Sequence, residues 1–100
     1  MAGLLSRLFG LEDKVDFQNL LENGAIILDV RTKSEYKQGN ISNSINIPLD
    51  SLSNNLSQLK KEQTIIAVCA SGMRSKGAVS YLRSKGFSKV YNGGSWSNFR

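Results

Sequence analysis

Residues Thr64 to Leu82 read TIIAVCASGMRSKGAVSYL. The opening TIIAVC is continuously apolar and rich in β-branched side chains, the pattern of a short strand covered on both faces. From Ser75 onward, Ala78, Tyr81 and Leu82 fall on one face of a helix, with Ser75 placed to cap it and Gly86 to end it. Between the two lies a tight turn built around Gly72. Strand, turn and helix in this order make the unit of a parallel α/β sheet, in which ligands bind beyond the carboxyl ends of the strands. Cys69, the only cysteine of the chain, stands at that place.

Outward from this stretch the same alternation continues. AIILDV (25–30) is a second apolar run, SINIP (44–48) a third, and KVY (89–91) a last strand ended by Asn92, Gly93 and Gly94. Before the first strand, DFQNLLENG offers Asp16 as N-cap, Phe17, Leu20 and Leu21 on one face, and Gly24 as a stop. In DSLSNNLSQLKK the spacing of Leu52, Leu56 and Leu59 predicts an amphipathic helix. These elements predict an α/β domain over residues 15–100, with a central, mainly parallel sheet of four or five strands and helices on both faces. Residues 1–14 read as a lead-in, with Leu4, Leu5, Leu8 and Phe9 on one side of a short helix. They lack the basic n-region and long apolar core of a signal peptide or membrane span.

The chain has 100 residues, enough for one core. Its net charge of +5 comes from 13 Lys and Arg against 8 Asp and Glu, spread without a run of like charge. No stacking motif accompanies the basic residues, so small anions rather than nucleic acid are the expected partners. With no histidine and one thiol, neither an internal disulfide nor a metal cluster is expected. A reducing, cytoplasmic setting is the default expectation.

Two readings of Cys69 compete. A lone cysteine ending a buried strand can be a small hydrophobe with no reactive role. Alternatively, Gly72 lets the CASGMRS loop curl so that successive N–H groups point inward, and the helix beginning near Ser75 adds its positive end. Both effects favour the thiolate, the nucleophilic form, and neither requires an imidazole base. Ser71 and Ser75 have no base to activate them, so capping and loop hydrogen bonds account for both. Asp29 and Arg31 read as supports of the site: Asp29 accepting loop N–H groups, Arg31 pairing with Glu35. Met73 either lines the entrance or packs, and Trp96 reads as a lid on the core.

Several stretches together resemble the single-domain rhodaneses, the thiosulfate sulfurtransferase-like family. IILDVRTKSEY is similar to the family's first-strand motif, GNISNSINIP to the segment ending in Asn-Ile-Pro, CASGMRS to the active-site loop, and VYNGGSW to the last strand and glycine pair. Asn40 stands where the family commonly has histidine, and Ala70 where many members carry arginine.

The resemblance implies a mechanism. Cys69 attacks the outer sulfur of a small anionic donor such as thiosulfate, and the resulting persulfide passes its sulfur to a thiol, a protein thiol or cyanide. Ala70, Ser71, Gly72, Met73 and Arg74 bind the substrate, through their amides and through the charge of Arg74. No cofactor is implied. Four residues separate Cys69 from Arg74, as in sulfur-transferring members; related dual-specificity phosphatases have five. A non-catalytic or regulatory module of the same family, binding a protein partner, is the competing expectation.

Overall fold

In the computed structural model, which describes residues 15–100, four parallel strands form one sheet in the order β2-β1-β3-β4. The strands are β1 (Ile26–Asp29), β2 (Ile45–Asn46), β3 (Ile65–Cys69) and β4 (Val90–Ser95). Helix α1 (Phe17–Glu22) precedes β1, α2 (Lys33–Gln38) follows it, and α3 (Met73–Ser84) links β3 to β4. The lead-in with its Leu4, Leu5, Leu8 and Phe9 stripe lies outside the described residues. No helix among the described residues is long and apolar enough to cross a membrane.

The two-residue period of the strands sorts their side chains between two cores. Leu28, Ile65, Ala67, Cys69 and Val90 face α3 and pack with Ala78, Val79, Leu82 and Leu52. Ile27, Ile66 and Val68 face the other way, toward Phe17 and Leu20 of α1 and toward Trp96 and Phe99. Residues 65–69 are buried throughout, as their unbroken apolar run predicts for a strand covered on both sides. Because Cys69 shares the parity of Ile65 and Ala67, its side chain lies on the α3 side of the sheet.

Local signals explain the helix starts. Asp16 caps α1 by accepting the Asn19 N–H at 3.0 Å. Thr32 and Glu35 form a reciprocal capping box at the start of α2. Two expectations are corrected. The helix over 50–61 is instead a pair of 3-10 segments, Leu49–Asn54 and Leu56–Gln58. The Asn55 side chain turns back to the Ser51 carbonyl at 2.7 Å, and Asn55 itself sits at φ −129°, outside the helical range. Such side-chain bonds compete with a continuous helix. Leu52 and Leu59 still reach the core.

The last strand does not stop at Asn92. It runs to Ser95 by placing Gly93 in a β-bulge: Ala67 pairs with Asn92 and Val68 with Gly94. A Cβ on Gly93 would stand 2.7 Å from Ile66 Cγ2 and 3.0 Å from both Val68 Cγ1 and Phe99 Cε2. Only glycine lets the strand press this closely on the sheet.

Candidate active site

Cys69 ends β3, and the chain then turns through Ala70 and Ser71 to Gly72, the N-cap of α3. Gly72 has φ +98°, a region that substituted residues resist, and this turn aims its N–H at Cys69 Sγ, 2.9 Å away. The Ser75 N–H follows at 3.4 Å, and the Ser75 hydroxyl lies 3.5 Å from the sulfur. Met73 N–H goes instead to the Ser71 hydroxyl, and the Met73 side chain is 74% exposed, so of its two expected roles the core-packing one is absent. The helix that begins here is 12 residues long and directs its positive end at the same atom.

These contacts oppose the effect of depth. Burial pushes the Cys69 thiol up, but hydrogen bonds from the amides of Ser75, Gly72 and Ser71 bring it below the ordinary thiol value. Nothing in the arrangement calls for a histidine, and the chain contains none.

Ser75 does not cap α3, contrary to expectation. The helix starts two residues earlier, at Met73, and Ser75 is a buried helical residue that joins the sulfur to the last strand. Its hydroxyl donates to Asn92 Oδ1 at 2.7 Å. The Gly94 N–H ends on the same oxygen at 2.9 Å, and Asn92 Nδ2 donates to the Gly72 carbonyl at 3.1 Å. Asn92 thus pins both the loop and Ser75. Sequence reasoning took it for a strand terminator; the glycine pair after it was the signal of the bulge that turns it toward the loop.

A second correction concerns the charges. Arg31 pairs with Asp29, through Nε at 3.0 Å to both carboxylate oxygens and Nη2 at 2.7 Å, and not with the Glu35 carboxylate. Adjacency along the strand end makes this geometry available within two residues. Arg31 also donates to the Glu35 and Gly39 carbonyls, which ties α2 to β1, and its guanidinium lies 4.2 Å from the centre of the Trp96 ring. Asp29 accepts the Arg31 N–H at 2.9 Å, as expected of a carboxylate serving its loop. Both residues support the frame; neither bonds to the sulfur, and Asp29 acts on the loop only through its charge, felt by Arg74. Trp96 packs against the Ile27, Ile66 and Val68 core, as expected of a lid.

Glu35 is left for Arg74. Nη1 and Nη2 of Arg74 meet Glu35 Oε1 and Oε2 at 2.6 and 2.9 Å, a bidentate pair in which each side chain is 36% exposed. The Arg74 guanidinium, with help from the Thr32 N–H, lowers the Glu35 carboxyl to about 2. No sequence signal joins two residues 39 positions apart. Beside Arg74 a cavity of about 370 Å³ opens at the carboxyl end of β1, lined by Val30, Thr32, Pro48, Leu49, Asp50 and Arg74.

A strand-end sulfur ringed by amides can attack an electrophilic centre and carry a group covalently. A sequence profile described as Rhodanese-like domain matches residues 13–100. A sulfurtransferase of Allochromatium vinosum is 31% identical over 67% of this chain, which spans 63% of that relative's length. A thiosulfate sulfurtransferase GlpE of Pseudomonas fluorescens is 35% identical over 75% of this chain and 69% of its own. Among solved structures, a rhodanese-like domain protein from Staphylococcus aureus superposes with a TM-score of 0.73 at 32% identity, covering 84% of this chain and 83% of its own. The fold, the strand-end thiol and these relatives place the chain in the rhodanese-like domain family.

Proposed function

We propose that the chain is a sulfurtransferase that moves a sulfane sulfur from thiosulfate or a persulfide donor to a thiophilic acceptor through a persulfide on Cys69. The observation that carries this reading is the Gly72 amide 2.9 Å from Cys69 Sγ, joined by the Ser75 amide, at the positive end of α3. The thiolate attacks the outer sulfur of the donor, the sulfur–sulfur bond of the donor breaks, and the leaving group departs with the bonding pair. From thiosulfate the leaving group is sulfite. The loop 70–74 holds the anionic persulfide by its amides, and Gly72 supplies the curvature they need. Cys69 itself is fully buried, so the loop must yield slightly for a donor to reach the sulfur.

With one cysteine in the chain, the acceptor is an external thiol or protein thiol. A reducing, cytoplasmic setting suits a lone reactive thiol, because it keeps Cys69 from oxidising between turnovers. The test is direct. Protein incubated with thiosulfate, or with a persulfide, is weighed before and after cyanide. One added sulfur that cyanide removes, and that Cys69→Ser never acquires, is the expected result. Protein that gains no sulfur from either donor is instead a binding module of the same fold.

A further inference from the structure

Both terminal nitrogens of Arg74 are engaged by Glu35. Arg74 is the only residue of the loop 70–74 with a charged side chain; Ala70, Ser71, Gly72 and Met73 have none. Arg31, the other guanidinium at the strand ends, is 3% exposed and bound to Asp29. The cavity beside Arg74 is walled by Val30, Pro48 and Leu49, and its remaining formal charge is the carboxylate of Asp50. At Arg74 a donor meets apolar surface and carboxylates rather than an unpaired cation. Thiosulfate carries two negative charges and no apolar body. An organic persulfide carries one charge on sulfur and a carbon frame that the cavity can cover.

We propose that Glu35 is a specificity-determining residue: by holding both terminal nitrogens of Arg74 it withholds that charge from the donor, and so favours a singly charged organic persulfide over the thiosulfate dianion. This assignment rests on the sulfurtransferase reading above and names its donor class. The transfer balances without an added oxidant. The Cys69 thiolate bonds to the outer sulfur of R–S–S⁻, the donor's S–S bond breaks with its electron pair going to R–S⁻, and the departing thiolate takes one proton from water, leaving Cys69–S–S⁻ and R–SH.

Glu35→Gln separates the two duties of the side chain. Glutamine at this position preserves a capping box, so α2 keeps its start. Its amide cannot hold a guanidinium in a charged fork, so Arg74 is released. The assay measures kcat and KM with thiosulfate and with cysteine persulfide. The expected result is a rise of about fivefold in the thiosulfate-to-persulfide ratio of kcat/KM, the scale on which one half-exposed charge acts on another. The gain should appear in the KM for thiosulfate and vanish in Glu35→Gln/Arg74→Ala. An unchanged or lower ratio in Glu35→Gln overturns the assignment while leaving sulfur transfer standing. Wild-type protein that is charged by neither donor overturns both.

Discussion

Asp29→Asn removes one charge from a buried pair while keeping the size of the side chain. Asp29 is 0% and Arg31 3% exposed, and the carboxylate receives the Arg31 N–H, Nε and Nη2. With its oxygen in the Oδ1 place asparagine can still accept from the Arg31 N–H and Nε, but its amide nitrogen then faces Nη2, donor against donor. The arginine is left charged, buried and short of an anion, a situation that costs about 3–5 kcal/mol. That is a large fraction of the 5–15 kcal/mol typical of a small domain. With a urea slope of about 2 kcal/mol/M, a loss of about 4 kcal/mol lowers the unfolding midpoint by about 2 M. The assay is urea unfolding of wild type, Asp29→Asn, Arg31→Met and the double variant. In the double variant no unpaired charge stays buried, so its loss should fall short of the sum of the single losses by about 1–3 kcal/mol. A single-variant loss below about 1 kcal/mol, or strict additivity, would contradict this account of the pair. The Cys69 thiol should keep its lowered ionisation in Asp29→Asn, because its donors lie in the loop and in Ser75.

Two further outcomes are expected. Gly72→Ala places a side chain at φ +98° with Cβ 3.2 Å from Gly94 Cα, which should cost about 1–2 kcal/mol and turn the nearest amide away from Sγ. Alkylation rate against pH should then show the thiol titrating higher than in wild type; an unmoved profile alongside lost stability would remove the Gly72 amide from the cradle. Glu35 titrates at about 2 in the fold against an ordinary value of 4.5. Its lowered value favours the fold above pH 4.5, and that contribution disappears as pH falls toward 2. Water screens the half-exposed pair, so acid unfolding of Glu35→Gln and wild type should differ by less than about 1 kcal/mol across this window. A larger gap would mean that the pair is more sheltered than its exposure implies.

Features that depend on neighbours along the chain were legible without coordinates. The unbroken apolar run ending in Cys69, the glycine three residues later and the helical stripe beyond it were enough for a strand, a curled loop and a parallel α/β sheet, since periodicity and backbone freedom are local properties. The same logic found Asp16 as a cap and the thiol at the strand end. It failed where side-chain bonds to the backbone broke a helical pattern, at Asn55, and where a bulge carried a strand through two glycines. Which charges meet became visible only in the folded chain. Arg31 turned to the carboxylate two residues away, which freed Glu35 for Arg74, and the bulge at Gly93 brought Asn92 to Ser75 and the loop. Such pairings are set by where separate strands end in space, and the energy of any one pair is too small to leave a mark on the local pattern.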